Sequence, residues 1–252
     1  MSAVEEQPAW VLHRRPFRES SIRVELFTQE HGRIGAIAHG SRRRGWNGLL
    51  EPFLPLRVSW SGRGDLKTVT GVEQTARGYR LQGRALACGF YMAELVLRLT
   101  RREDPHPRSW ARYAAAVDDI AGDDPEPALR RFELTLLEEC GLGLELAVDA
   151  EGRAIDPARG YRYIPDDGAR PDSGMGAGVP VSGVTLRALA HPDEVDLGAE
   201  PVRREARWLM RVVIHHHTGG RPLRSREMLR SWRERPQGGA RGGDAYEDPG
   251  QA

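Results

Sequence analysis

The chain has little cysteine, almost no lysine and no long apolar run. Of its 252 residues only Cys88 and Cys140 are cysteines. Two thiols cannot build a disulfide framework or a four-cysteine zinc site. Both lie in stretches that read as helix, where a buried thiol behaves as a small hydrophobe. No apolar run approaches the ~20 residues needed to span a bilayer. Met1–Pro8 is acidic and polar and lacks the apolar centre of a signal peptide, so a cytoplasmic chain is expected. Glycine loops of the Walker type, GxSxG and HExxH are all missing. The adjacent acids Asp118-Asp119 and Asp123-Asp124 read as helix caps rather than a two-metal centre. A binding protein, not an enzyme, is the expectation.

What the chain has instead is arginine. Lys67 is the only lysine, so nearly all positive charge is guanidinium. High-GC coding explains most of that, yet a planar fork also suits phosphate, because it bonds two oxygens at once. Charge is unevenly placed. Residues 1–80 hold thirteen Lys+Arg against eight Asp+Glu, whereas the remainder holds 24 against 28. A basic region joined to a mildly acidic one points to a polyanionic partner.

The first third reads as strands. Ala9–His13 is a short apolar run, Ile22–Phe27 and Arg33–His39 alternate, and Phe53–Trp60 and Leu66–Val72 follow, joined by the turn Ser61–Asp65. Ser41–Gly48 reads as a loop. Five short strands with glycine-rich turns predict a small closed barrel, of OB-fold size, although periodicity alone fits an SH3-like barrel equally. After Gly83 the period becomes helical. Helices are predicted over Arg84–Thr100 and Arg108–Ala121. A third begins with Asp124 as N-cap and Pro125 as first helical residue, and ends at Gly141. Residues 149–183 are rich in Gly, Pro and Asp and read as a long irregular loop. Val184–Ala190, Val202–His217 and Ser225–Trp232 complete the helices. The expected organisation is an α+β chain: a barrel domain over 1–80, an all-helical domain over 81–235 and a disordered tail over 236–252.

Several residues are candidates for chemistry. Arg42-Arg43-Arg44, between Gly40 and Gly45, reads as a mobile clamp for phosphates, with Trp46 as a platform for a base. Arg14, Arg15 and Arg18 form a second basic cluster, and Arg57, Arg63 and Lys67 lie on the later strands and their turn. The blander reading makes these the solvated face of a sheet. On the third helix Arg130 sits at the shoulder of the apolar stripe, beside Leu134 and Leu137, whereas Arg131 points nearly opposite. A cation beside exposed leucine suits an acidic, apolar peptide end. An ordinary boundary residue is the simpler alternative. His215-His216-His217 invites a metal, but consecutive helical residues project about 100° apart. No carboxylate or cysteine stands at a useful helical spacing. A solvated helix end, with no metal, is expected.

Five collinear blocks carry a family resemblance: Trp10–Ile34 (WVLHRRPFRESSIRVELFTQEHGRI), Leu49–Val69 (LLEPFLPLRVSWSGRGDLKTV), Gly89–Thr100 (GFYMAELVLRLT), Pro127–Leu146 (PALRRFELTLLEECGLGLEL) and Gly219–Arg230 (GGRPLRSREMLR). Together the chain resembles the bacterial RecO family of DNA repair and recombination mediators. That resemblance implies an N-terminal OB-fold and a C-terminal helical domain. It implies binding of single- and double-stranded DNA, annealing of complementary strands and partnership with RecR, with RecF a further partner left open. It also implies capture of the acidic C-terminal tail of single-stranded DNA-binding protein (SSB), so that a recombinase can load. The PALRRFEL block is the part associated with tail capture, which directs attention to Arg130, with Arg131 and Leu134. Many members carry a four-cysteine zinc module after this helix. Here 149–183 holds no cysteine, and no zinc is expected. A plain OB-fold single-strand binder without a mediator role, and a metal-dependent hydrolase using the histidine run, are the alternatives.

Overall fold

A computed structural model describes residues 3–122 and 124–228. The barrel closes around one long strand. β1 (Ala3–Phe17) pairs through its first half with β4 (Leu56–Ser61), from Ala3 opposite Ser61 to Ala9 opposite Leu56. Its second half pairs with β2 (Ser21–Thr28), from Ala9 opposite Thr28 to Phe17 opposite Ser21. β2 pairs with β3 (Gly32–Ala38), β3 lies parallel to β5 (Lys67–Gln74), and β5 returns antiparallel to β4. The closed order β1-β2-β3-β5-β4 is consistent with the OB-fold expectation. β1 is three times the length of the predicted run Ala9–His13. Register shifts between Val4 and Gln7 and between Val11 and His13 break its alternation, so its polar ends do not read as strand.

Side-chain alternation gives the barrel two dry faces. Ala9, Val11, Val24, Leu26, Ile34 and Val58 fill its interior. From the opposite face, Trp10, Leu12 and Phe27 pack into the helical body. Each such burial contributes about 1.5–3 kcal/mol. The helical body is built on α1 (Gly83–Leu99), α2 (Pro107–Asp119) and α3 (Glu126–Glu139). Pro107 opens α2 with its φ already helical and without an orphan N–H. Tyr113 of α2 is fully buried, with its ring 5.9 Å from Trp10, 6.0 Å from Phe27 and 5.8 Å from Phe132. It joins the barrel wall to α3. A polar seam runs beside it: Arg33 Nη2 donates to the Thr100 carbonyl at 3.0 Å, Arg102 pairs with Glu25, and Trp110 Nε1 donates to the Phe27 carbonyl at 3.2 Å. Gly32 fits this seam because a Cβ there would lie 1.9 Å from the Asp104 carbonyl oxygen, and its φ is +62°.

The body is not all-helical. Within the expected loop, β6 (Gly160–Ile164), β7 (Gly168–Pro171) and β8 (Val179–Ser182) form an antiparallel sheet in the order β7-β6-β8. Tyr161, Tyr163, Ala169, Val179 and Val181 alternate inward and join the main core. Strands of four and five residues, set among glycine turns, are too short for the alternation to stand out. α4 (Gly183–Ala190) follows directly, capped by Ser182, whose Oγ accepts from Thr185 N at 3.2 Å. α5 (Val202–His217) matches its predicted span. α3 begins a residue later than predicted, with Pro125 at the cap, and Asp124 Oδ1 accepts from Glu126 N at 3.2 Å. Residues 224–228 are helical; the rest of the predicted Ser225–Trp232 helix and the predicted tail lie outside the described residues.

Candidate nucleic-acid interface

The β1–β2 turn and the segment after β3 meet at one end of the barrel. Ser41 makes the junction: its N–H and Oγ both donate to the Ser20 carbonyl, at 3.0 and 3.2 Å. Arg18, beside that turn, and Arg42, Arg43 and Arg44, beyond Ser41, are all exposed, as is Arg15. Among the described residues no carboxylate lies within 4.0 Å of the charged nitrogens of these five. Arg18 extends over the Phe17 ring at 5.3 Å. The segment 40–50 is not a slack loop. Arg44 N donates to the Gly40 carbonyl at 3.1 Å, Trp46 N to Ser41 at 2.9 Å and Leu50 N to Trp46 at 2.8 Å. These tight turns hold the guanidinium groups outward.

Two other candidates at this end are used internally. Arg14 donates to the carbonyl of Asn47 at 3.1 Å and is paired with Glu51, so it ties the segment to β1. Trp46 is only 8 % exposed and packs in the barrel core, with the Arg44 guanidinium 4.8 Å above its ring. An apolar indole beside the interior gains more from burial than from solvent, which corrects the expectation of an open base platform. The remaining candidates lie elsewhere. β5 runs parallel to β3 with Lys67 beside Ala36, so the turn carrying Arg63 lies toward the start of β3, away from Arg42–Arg44. Lys67 itself is 6 % exposed and bonded to Glu103 at 2.8 Å. Arg57 is exposed and meets Glu6 at 3.5 Å.

Arg130 is also placed differently from the open shoulder position. It is 5 % exposed, and its Nη2 donates to Glu133 Oε1 at 2.8 Å. The Tyr91 hydroxyl donates to the same oxygen at 2.5 Å. Burial pushes the Glu133 carboxyl up, against the attraction of Arg130. Glu133 Oε2 and Arg130 Nε are buried without a hydrogen-bond partner among the described residues. Nearby Glu126 accepts from Arg84 and from Arg207, both at 2.8 Å. Burial pushes its carboxyl up, but the guanidinium groups of Arg130, Arg207 and Arg84 outweigh this and hold it below the usual range. The stripe boundary was legible in sequence; the closing partner Tyr91, from α1, was not. Arg131 and Leu134 remain half-buried at the surface, with Arg131 Nε donating to the Pro192 carbonyl at 2.8 Å and lying 3.4 Å from the exposed carboxylate of Asp193.

The histidine run meets a carboxylate from outside its own helix. His216 Nε2 lies 2.5 Å from Asp166 Oδ2, and the donor atoms of Asp166, His216 and His217 all fall within 4.8 Å of one another. The carboxylate comes from the β6–β7 hairpin, which no helical spacing could reveal. Among the described residues no helix is long and apolar enough to cross a membrane.

A closed barrel with a basic end, fused to a mixed helical and sheet body, defines a two-part α+β chain. Comparison gives the family. Residues 1–77 match the family described as Recombination protein O N terminal, and residues 80–227 match Recombination protein O C terminal. The DNA repair protein RecO of Halorhodospira halophila is 64 % identical over 234 residues, covering 93 % of this chain and all of that protein. That of Methylococcus capsulatus is 48 % identical over 227 residues, covering 88 % and 92 %. The chain therefore belongs to the RecO family.

Proposed function

We propose that this chain is a non-enzymatic recombination mediator that binds single- and double-stranded DNA at the Arg15, Arg18 and Arg42–Arg44 end of its barrel. The observation that carries this reading is the Ser41–Ser20 junction, which joins two basic segments into one surface. Guanidinium groups without protein carboxylates are available to phosphate oxygens. Annealing brings two polyanions together, so a basic surface lowers its barrier without bond chemistry. Arg57, Arg63 and Lys67 belong to a secondary contact at most, since two of them already pair with carboxylates. Trp46 supports the surface from beneath by holding Arg44.

The helical body is the partner side. It captures the acidic tail of SSB through Arg131 and Leu134 at the surface, with Arg130 behind them as a positioning group. RecR, and RecF where it is used, complete the machinery that loads recombinase onto SSB-coated strands. The working compartment is the cytoplasm, at the nucleoid.

The test is a salt-dependent titration of fluorescent single-stranded DNA, with a tail-peptide arm. Neutralising about five phosphates gives a slope of log K against log[salt] near −3.5, from ~0.7 per phosphate. Replacing Arg42, Arg43 and Arg44 with Ala reduces it to about −1.4 and spares tail capture. Arg131→Glu does the reverse. A binding constant insensitive to salt sinks the reading. Full DNA binding without any peptide capture favours a plain OB-fold single-strand binder.

A further inference from the structure

Asp166 owes its position to a tight turn. Pro165 and Asp166 are the central residues of the β6–β7 turn, in which Asp167 N donates to the Ile164 carbonyl at 3.1 Å. Asp166 has φ +68°, the left-handed conformation that the third position of such a turn requires. The turn delivers its carboxylate to the C-terminal end of α5. There the chain is closed by Gly219 N donating to the His216 carbonyl at 3.0 Å and Gly220 N to His215 at 2.9 Å. This end of a helix attracts positive charge.

The surroundings repeat that preference. A cleft of about 240 Å³ beside His217 is lined by four carboxylates, Glu145, Asp149, Asp166 and Asp167, and, among the described residues, by no Arg or Lys. Three of these are occupied: Glu145 Oε1 accepts from Ala147 N at 3.1 Å, Asp149 Oδ1 from Glu151 N and Arg153 N, both at 2.9 Å, and Asp167 is bonded to Arg170 at 2.7 Å. Asp166 instead faces two imidazoles. The rings of His216 and His217 stand 5.0 Å apart at 77°. An ion pair would need only one of them.

We propose that Asp166, His216 and His217 bind a divalent transition-metal ion of the zinc class, which staples the β6–β7 hairpin to α5. Two ligands on a tetrahedral ion, each with a bond of ~2.0–2.1 Å, stand roughly 3.3 Å apart. The donor separations here run from 2.5 Å to at most 4.8 Å and bracket that value. Small rotations seat the ion, and the side chains of His216 and Asp166 are 47 % and 66 % exposed, so they are free to turn. Two imidazoles and one carboxylate select borderline ions over magnesium or calcium. Water fills the fourth position. The role is structural and is separate from the barrel surface.

The experiment uses the untagged full chain, stripped with a chelator and then titrated with zinc against a chromophoric competitor. One equivalent binds. Asp166→Asn, His216→Ala and His217→Ala each weaken binding by at least about tenfold, whereas His215→Ala leaves it unchanged. Asn tolerates the left-handed turn, so the Asp166 variant keeps its fold. Zinc raises the melting temperature of the parent chain but not of the Asp166 variant. Cobalt in place of zinc gives a visible d–d spectrum in the parent only. Absence of zinc binding overturns the proposal. So does binding that survives Asp166→Asn and His217→Ala but falls with His215→Ala, which marks casual capture by a histidine run. So does equal preference for magnesium.

Discussion

The same side chain plays opposite parts at the two ends of this molecule. At the barrel end, Arg15, Arg18, Arg42 and Arg43 project into solvent, with no carboxylate within 4.0 Å of their charged nitrogens among the described residues. In the helical body, Arg84 and Arg207 converge on Glu126, and Arg130 is sealed against Glu133. A guanidinium already neutralised by a buried carboxylate has no charge left to offer a phosphate. One beside only carbonyls and water keeps it. The lesson is that arginine content alone says little; pairing separates a binding surface from a structural lattice.

The largest expected effect tests the lattice side. Arg130→Met leaves Glu133 buried with Tyr91 and without the guanidinium bonded to it, Arg226 being the cation that remains near. Breaking such a pair from one side costs about 3–5 kcal/mol, read as a lower midpoint in urea unfolding. Adding Glu133→Leu removes the stranded charge and recovers most of the loss. Strand binding by the folded protein stays unchanged throughout. If Arg130→Met instead weakens DNA binding and leaves stability intact, the division between the two ends is wrong.

The complementary change is Ala at Arg42, Arg43 and Arg44 together. This removes most of the salt dependence of DNA binding, while the Arg42 and Arg43 sites each alter stability by only about 0.5 kcal/mol or less. A large drop in the unfolding midpoint would move these residues to the structural side.

The barrel was legible because two of its strands alternate in sequence, as Ile22, Val24 and Leu26 do against Arg23 and Glu25, and two more follow among glycine-rich turns. β1 was legible only in its middle, since its ends are polar and bulged. The β6-β7-β8 sheet escaped because its strands hide between Gly168, Gly174, Gly176 and Gly178, which read as loop. At the candidate interface the basic clusters were visible one by one. Their union was not, because Ser41 and Ser20 are joined by a bond across 21 residues. Asp166 and the histidines are 50 residues apart and meet only through the packing of the hairpin on α5. Patterns of period two and 3.6 carry no such information.

A smaller effect follows from pH. Glu205 accepts from Ser182 Oγ at 2.6 Å, Thr185 Oγ1 at 2.7 Å and Ser182 N at 2.9 Å. Burial pushes its carboxyl up, but these donors outweigh burial and hold it below the ordinary range. Its stabilisation is therefore complete above the unfolded-state value of about 4.3 and is lost as pH falls through the lower folded value. Glu205→Gln flattens that acid limb in unfolding measurements. An acid limb that is unchanged in the variant would show that other carboxylates control it.

The smallest effect sits where the two roles meet. Arg44 belongs to the basic surface, yet its guanidinium lies 4.8 Å over the ring of Trp46, which is itself part of the barrel core. At an exposed site that contact is worth about 0.5–1 kcal/mol. Arg44→Ala should therefore lower stability by about that amount and also reduce the salt slope by about 0.7, one phosphate's share. Arg43→Ala, one residue away and without the ring, should reduce the slope equally and leave stability alone. If both variants lose stability, the segment between β3 and β4 is a structural element throughout. If Arg44→Ala changes stability but not the slope, its charge serves the indole alone and the surface shrinks to Arg15, Arg18, Arg42 and Arg43.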